Sequence, residues 1–189
     1  MVEALPDVTV HRMRHYRKDR LLQMMQELDI PTLLIYDPVS IRYATDSRNV
    51  QVYALNHECR YLFMAADGTT ELFDWVAGHD AYHGHLDTID AVHVARPVGF
   101  MSDGADNFDT SLREWADQIE SLIRRTSPDD LRVGIDRLSH FQAAELERRG
   151  IRVVDGHPAI YRARAVKGPE ELEAQRLSAK ACHDGFERM

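Results

Sequence analysis

The sequence is poor in cysteine, in long apolar runs and in N-terminal targeting signals. Its 189 residues include two cysteines, Cys59 and Cys182, without a Cys-x-x-Cys spacing. Two cysteines so far apart are typical of thiols in a reducing cytoplasm, although a disulfide between them stays open. No run approaches the about 18 apolar residues of a membrane span, and no apolar segment indicates a signal peptide. We therefore predict a cytoplasmic protein.

Familiar nucleotide and nucleophile motifs are also missing. The chain has no Gly-x-Gly-x-x-Gly and no P-loop, and no Ser, Cys or Lys stands in a motif that marks a nucleophile. The net charge of -8 argues against nucleic-acid binding, which requires clustered Lys and Arg. A basic group at residues 12–20 falls on a predicted helix, and we interpret it as a solvated face. By these internal signals, the chain carries no complete catalytic site.

What is present is the pattern of one globular domain. The apolar fraction of 44% and the charged fraction of 29% are ordinary for such a protein. After an N-terminal arm at 1–10, periodicity and turn signals predict helices at 11–29, 39–46, 111–125, 139–150 and 157–163, and strands at 32–36, 60–66, 70–75, 88–95, 131–136 and 151–155.

The order of these elements predicts an α/β fold. Asp67-Gly68 joins two strands as a hairpin, which requires antiparallel pairing. The later strand–helix–strand units require parallel crossovers. We predict a mixed, partly antiparallel sheet of about six strands flanked by helices.

A histidine-rich segment, His79-Asp80-Ala81-Tyr82-His83 followed by His85, is the most evident candidate for a metal site. Two histidines four residues apart resemble the zinc-binding HExxH spacing. However, Asp80 replaces the general-base Glu, no third ligand follows at helical spacing, and two flanking glycines weaken a helix. We interpret the segment as a polar loop and assign no metal ligand to it.

Acidic residues suggest two further candidates. Asp103–Asp109 lacks the register of an EF-hand, so we interpret it as a solvated loop before a helix that Ser111 and Glu114 would cap. Asp37 and Asp46 flank the first crossover. Either residue could reach a ligand, although capping a turn is the commoner role for such Asp.

The segment Arg162–Leu172, with the sequence Arg-Ala-Arg-Ala-Val-Lys-Gly-Pro-Glu-Glu-Leu, marks a boundary. Pro169 suits the first position of a helix, and Glu170 and Glu171 suit its first turn. No stop signal follows before Met189. We expect a domain at 11–166 and, at 167–189, the start of a linker helix into a catalytic domain that is absent from this chain.

These patterns together resemble a known family. The Arg-rich first helix with Leu33-Leu34-Ile35, the segment 37–46 and the boundary 162–172 are similar to the N-terminal domain of the creatinase/prolidase family. This family of pita-bread metallopeptidases includes Xaa-Pro dipeptidases, aminopeptidase P and creatinases. The resemblance covers residues 11 to 189. A narrower likeness, in Ile41–Ser47 with Asn49, is to the dimethylsulfoniopropionate lyases that share this fold.

The resemblance implies a fold and a division of labour. The N-terminal domain would have a ribonuclease H-like topology. Two Asp, one His and two Glu of the following domain would hold two divalent metal ions, of the Mn, Co or Zn type, that activate water. None of those ligands is present, so no catalytic residue, metal ligand or cofactor is expected in this chain.

The resemblance also implies a homodimer in which this domain lends residues to the partner's substrate pocket. The candidates by position are Asp46, Arg48, Asn49 and Tyr53, with Trp75 as a weaker addition. The guanidinium of Arg48 could hold a substrate carboxylate through two hydrogen bonds. A plain exposed loop stays the alternative for each of them.

We therefore expect the non-catalytic N-terminal domain of a dimeric creatinase/prolidase-like metallohydrolase. Its partners would be its own C-terminal catalytic domain and a second copy, with no nucleic acid and no membrane. The alternatives are the equivalent domain of a dimethylsulfoniopropionate-lyase-like enzyme and, from another class, a stand-alone binding or assembly module.

Overall fold

A computed structural model describes residues 4–48, 59–74 and 85–188. The strands are β1 Thr32–Ile35, β2 Tyr61–Ala65, β3 Thr70–Asp74, β4 Ala91–Val94, β5 Arg132–Ile135 and β6 Arg152–Asp155. The helices are α1 Asp7–Glu27, α2 Pro38–Thr45, α3 Phe100–Thr126, α4 His140–Arg148, α5 His157–Ala165 and α6 Pro169–Glu187.

The six strands form one mixed sheet in the order β4-β3-β2-β1-β5-β6. Strand β2 pairs antiparallel with β1 and β3, whereas the β3–β4, β1–β5 and β5–β6 pairs are parallel. Every strand except β2 therefore runs in the same direction, and five carboxyl ends lie at one edge of the sheet. The predicted fold class, a mixed sheet flanked by helices, is confirmed.

The sheet carries a separate core on each face, because side chains alternate along a strand. Leu34 belongs to one core, whereas its neighbours Leu33 and Ile35 belong to the other. The first core packs against α3 and α4 and is rich in aromatic residues, including Trp115, whose Nε1–H donates to the Tyr36 hydroxyl at 2.9 Å. The second packs against α1, α2 and α5 and is mainly aliphatic.

Helix α1 begins at Asp7, four residues before its predicted start. The amides of Thr9 and Val10 both donate to the carbonyl of Pro6, at 2.9 and 3.1 Å, so the first turn closes directly after the proline. Asp7 lies in that turn, where the helix dipole favours a carboxylate. Residues 7–10 of the expected arm are therefore helical.

The acidic stretch at 103–109 is not a loop, and this prediction was wrong. It lies inside α3, which is interrupted at Gly104 with φ of 69°. Asp103 accepts hydrogen bonds from the Gly99 amide at 3.0 Å and from the Ser111 hydroxyl at 2.8 Å. Ser111 is thus an interior helical residue that bonds across the interruption, and it does not cap a new helix.

Other local predictions are confirmed. Gly68 has φ of 97° in the β2–β3 turn, a value that favours glycine. The Ser139 hydroxyl accepts from the Gln142 amide at 3.3 Å, and the Gln142 side chain accepts from the Ser139 amide at 3.2 Å, which is the predicted capping box of α4. Helix α6 begins at Pro169, as the boundary segment predicts.

Two further observations concern the environment of the chain. Across the residues described above, none of the helices combines the length and apolarity that crossing a membrane requires. Cys59 and Cys182 are not joined by a disulfide.

Candidate functional site

A buried arginine joins the two strands of the hairpin to the end of α2. In the β2–β3 register Tyr61 lies opposite Phe73, so Arg60 and Asp74 are the next pair along. Arg60 is 1% exposed, and its Nε donates to Asp74 Oδ2 at 2.9 Å. Its Nη2 also donates to the Ser47 hydroxyl. Burial lowers the pKa of Arg60, and the adjacent Asp74 carboxylate opposes that shift.

Asp46 ends α2 and holds the entry to the next segment. It adopts a left-handed backbone with φ of 62°, and its amide donates to the Arg42 carbonyl at 2.8 Å. Its buried carboxylate accepts from Arg14 Nε at 2.9 Å. Because one oxygen is bound to α1, Asp46 fixes the position of the residues that follow it.

Arg48 is the more accessible of the two predicted pocket residues that the structure describes. Its Nη2 lies 3.8 Å from Asp46 Oδ1, and its side chain is 69% exposed. The structure therefore brings Asp46 and Arg48 together, with Asp46 held inside and Arg48 directed to solvent. Asn49, Tyr53 and Trp75 lie outside the described residues, so their predicted role stays a prediction.

Sequence reasoning did not single out Arg60, Asp74 or Arg14 as parts of this cluster. A signal was available for the first two. The Asp67-Gly68 turn fixes the hairpin register, and that register places Arg60 opposite Asp74. No comparable signal exists for Arg14, because its contact with Asp46 spans 32 residues.

A second polar site lies where β1 and β5 end side by side. Asp136, which follows β5, accepts from the amides of Tyr36 and Asp37 at 2.8 and 2.9 Å. Burial raises the pKa of Asp136. Asp37 in turn accepts from the Ser40 amide at 2.9 Å and caps α2. Helix α2, which follows β1, packs on one face of the sheet, and α4, which follows β5, packs on the other. Ligands of open α/β sheets commonly bind at such a point, where the chain leaves neighbouring strands toward opposite faces.

The boundary segment lines a groove with a volume of about 500 Å³. Arg164, Lys167 and Glu171 come from that segment, and Arg17 and Arg42 lie on the facing helices α1 and α2. Arg17 Nε donates to Glu171 Oε1 at 2.7 Å, which neutralises one of the four cations. The groove therefore keeps an excess of positive charge in a chain whose net charge is -8.

Residues 79–83 of the histidine-rich segment lie outside the described residues, and His85 is exposed. In the part of the chain that the structure describes, one group of three potential metal ligands forms: His11, His15 and Asp87. That set lacks the two Glu and the second Asp that the family's metal pair requires. The described residues therefore do not fit that metal pair.

Sequence comparison finds relatives along nearly the whole chain. No family model matches it. Dimethylsulfoniopropionate lyase DddP of Roseovarius nubinhibens is 30% identical over 189 residues, which cover 98% of this chain and 41% of that protein. The protein of the same name from Roseobacter denitrificans is 29% identical over 185 residues, covering 98% of this chain and 40% of that protein. The chain thus spans about two fifths of the length of the curated relatives it matches.

Three solved structures share the arrangement of the sheet and helices. An aminopeptidase P from Streptococcus thermophilus has a TM-score of 0.53 at 12% identity, covering 80% of this chain and 98% of that one. A proline dipeptidase from Streptococcus pneumoniae has a TM-score of 0.50 at 18% identity, with the same coverages of 80% and 98%. An Xaa-Pro aminopeptidase from Streptococcus pyogenes has a TM-score of 0.50 at 15% identity, covering 76% and 91%.

The fold is that of the creatinase/prolidase N-terminal domain. At identities of 12 to 18% this likeness concerns the fold alone. It confirms the predicted mixed sheet with flanking helices over the 76 to 80% of the chain that these structures cover.

Proposed function

We propose that this chain is the non-catalytic N-terminal domain of a larger enzyme of the dimethylsulfoniopropionate lyase type. The observation that carries the proposal is the similarity to two proteins of that name over 98% of the chain. The solved peptidases share the fold at lower identity, so a hydrolase of the Xaa-Pro peptidase type becomes the second candidate. A cytoplasmic location stays part of the proposal.

Helix α6 supports the attachment of a further domain. It has 19 residues, and the buried one among them is Glu171. Apolar side chains on and near it, including Val166, Leu172 and Phe186, are exposed. A helix that is anchored by its first turn and carries apolar residues beyond it is suited to pack against another structure. We assign that role to the enzyme's own C-terminal catalytic domain.

Arg48 supports a role in substrate binding. Dimethylsulfoniopropionate carries a carboxylate, and a guanidinium binds a carboxylate through two parallel hydrogen bonds. The side chain of Arg48 is exposed. Its backbone is held in place two residues earlier, where Asp46 accepts a hydrogen bond from Arg14. We propose that it reaches the substrate pocket of a second copy in a homodimer, together with Asn49, Tyr53 and Trp75.

The chemistry would then lie outside this chain. Two divalent metal ions in the C-terminal domain would activate the reacting group, as the resemblance implies. The described residues of this chain would position the pocket wall and join the subunits.

The test compares the natural full-length protein with the 189-residue chain. Release of dimethyl sulfide from dimethylsulfoniopropionate and release of proline from Xaa-Pro dipeptides are measured with Mn²⁺ or Co²⁺ present. We expect dimethyl sulfide from the full-length protein and no turnover by the chain alone. Release of proline without dimethyl sulfide would favour the peptidase candidate. Turnover by the chain alone would contradict a non-catalytic domain.

The natural reading frame separates both enzyme candidates from a stand-alone binding or assembly module. A frame that continues into a domain with two Asp, one His and two Glu supports the enzyme. A frame that stops near Met189 supports the module. Light scattering on the full-length protein tests the homodimer, and a monomeric mass would contradict it.

A further inference from the structure

Two histidines and one aspartate converge at the N-terminal half of α1. His11 Nε2 and His15 Nε2 lie 2.8 and 2.9 Å from the same oxygen, Oδ2 of Asp87. The two rings are 4.4 Å apart between centroids, and the three ligand atoms all lie within 4.8 Å of one another. We name these three residues the His–His–Asp cluster.

The geometry of the cluster is set by two separate pieces of backbone. His11 and His15 are four residues apart on α1, which places them on the same face of the helix. Asp87 precedes Thr88, which is fully buried. The Thr88 hydroxyl donates to the Thr45 carbonyl at 2.7 Å, and the Thr88 carbonyl accepts from Lys18 Nζ at 3.2 Å. The carboxylate is therefore presented to α1 by an anchored segment.

The neighbouring basic residues on α1, Arg14 and Lys18, make their hydrogen bonds to groups other than the Asp87 carboxylate. Arg14 on the same helix binds Asp46 at 2.9 Å, and Lys18 binds the Thr88 carbonyl. Asp87 Oδ2 accepts a hydrogen bond from the ring nitrogen of each histidine, at 2.8 and 2.9 Å. Two imidazole nitrogens and one carboxylate oxygen can together bind a divalent cation, which would replace the ring protons that now lie between them.

We propose that the His–His–Asp cluster binds one divalent transition-metal ion, with Zn²⁺ as the reference ion. Imidazole nitrogen and carboxylate oxygen are common zinc ligands at about 2.0–2.2 Å. Imidazole also suits Cu²⁺ and Ni²⁺, whereas Mg²⁺ and Ca²⁺ prefer oxygen ligands alone. A tetrahedral ion would hold its ligand atoms about 3.3 Å apart, so the side chains must open by about half an ångström. They are partly exposed and can do so.

The remaining coordination positions face solvent, because all three side chains are between 41% and 56% exposed. The ion would connect α1 to a segment 72 and 76 residues further along the chain. Since the unfolded chain does not hold these residues together, binding stabilises the folded state. The site is thus a metal-dependent link between α1 and the segment that enters β4, and it is independent of the proposed lyase function.

Isothermal titration of the metal-free 189-residue chain with ZnCl₂ at about pH 7.5 tests the proposal, because metal binding to imidazole competes with protons and is favoured above acidic pH. We expect one equivalent to bind and the melting temperature to rise. His11→Ala/His15→Ala should weaken binding at least about tenfold, or about 1.4 kcal/mol, and should remove the thermal shift. Excess MgCl₂ should not compete.

The matched control is His183→Ala. His183 is an exposed histidine four residues from Glu187 on α6, 3.3 Å from that carboxylate, so it offers a His–carboxylate pair without a second imidazole. Its loss should leave the affinity unchanged. Absence of zinc binding in the unaltered chain, or equal affinity in the double variant, would overturn the proposal. Circular dichroism of the double variant confirms that lost binding reflects lost ligands and not lost folding.

Discussion

The buried Arg60–Asp74 pair and the exposed His–His–Asp cluster both consist of hydrogen bonds between nitrogen and a carboxylate, but the two differ in their access to solvent. In both, nitrogen donors approach a carboxylate at 2.8 to 2.9 Å. Arg60 and Asp74 are removed from water, and Arg60 donates both to the Asp74 carboxylate and to the Ser47 hydroxyl. The cluster remains open to solvent and can exchange its partners. Burial, and not the type of contact, decides which group belongs to the framework and which is available to a ligand.

The largest loss should follow Asp74→Ala, because it leaves the Arg60 guanidinium buried without its carboxylate. We expect the free energy of unfolding to fall by about 3–5 kcal/mol, measured by urea denaturation. The control is Asp184→Ala, which breaks the exposed Lys180–Asp184 pair and should cost about 0.5 kcal/mol or less. Equal losses in the two variants would mean that burial does not distinguish the pairs.

A smaller loss should follow Asp136→Ala. The amides of Tyr36 and Asp37 would lose their acceptor, at a cost of about 1–3 kcal/mol. A conservative variant, Asp136→Asn, separates charge from shape. Because burial raises the pKa of Asp136 in the folded state, its carboxyl contributes most at low pH and less as the pH rises through that raised value. The stability of wild type relative to Asp136→Asn should therefore fall as the pH rises above the ordinary carboxyl value of 3.8; a rise would contradict the buried environment.

Glu145 should show the opposite pH dependence. Hydrogen bonds from Arg148 and Arg149 lower its pKa from 4.5 to about 2. The carboxylate therefore contributes stability above about pH 4.5, which is lost as the pH falls toward 2. Glu145→Gln should remove that part of the acid dependence, measured by thermal unfolding across the range, whereas Glu173→Gln on the exposed side of α6 should not. If the loss of thermal stability at low pH is the same in Glu145→Gln as in the wild type, the two arginines do not bind the Glu145 carboxylate in solution.

The smallest effect on stability should follow Arg48→Ala. Its side chain is mostly exposed and 3.8 Å from Asp46, so the free energy of unfolding should change by about 0.5 kcal/mol or less. In the full-length enzyme, however, the KM for dimethylsulfoniopropionate should rise about tenfold if Arg48 binds the carboxylate. Arg124→Ala, which removes another exposed arginine, should change neither quantity. An unchanged KM in Arg48→Ala would remove this residue from the proposed pocket.

The parts of the fold that follow from local chemistry could be predicted from the sequence. Asp67-Gly68, Ser139 with Gln142, and Pro169 each determine a turn or a helix start within a few residues, and the structure has all three. Helix α3 was misjudged because glycine and aspartate are typical of loops. The structure bridges Gly104 instead, through the hydrogen bonds that Asp103 makes on both sides.

The candidate sites were less accessible to sequence reasoning, because their residues meet only after folding. Asp87 is 72 residues from His15, and it lies just after the histidine-rich segment without being part of any motif itself. Asp136 follows a strand and carries no motif, yet it binds two amides that lie about 100 positions earlier. Arg48 was predicted from the family resemblance, and its exposure is a result of the tertiary structure.

Gly168 gives the boundary segment a physical meaning. A Cβ at this position would lie 2.9 Å from two ring carbons of Tyr16, and the Gly168 amide donates to Glu171 Oε2 at 3.0 Å. The Gly168 backbone therefore packs directly against the aromatic ring of Tyr16, at the start of α6. Any larger residue would force either the Tyr16 ring or the start of α6 to shift, and a helix tilt of about 10° would displace the far end of its 19 residues by about 5 Å. The absence of a side chain at Gly168 thus allows the start of α6 to lie directly against Tyr16 of α1.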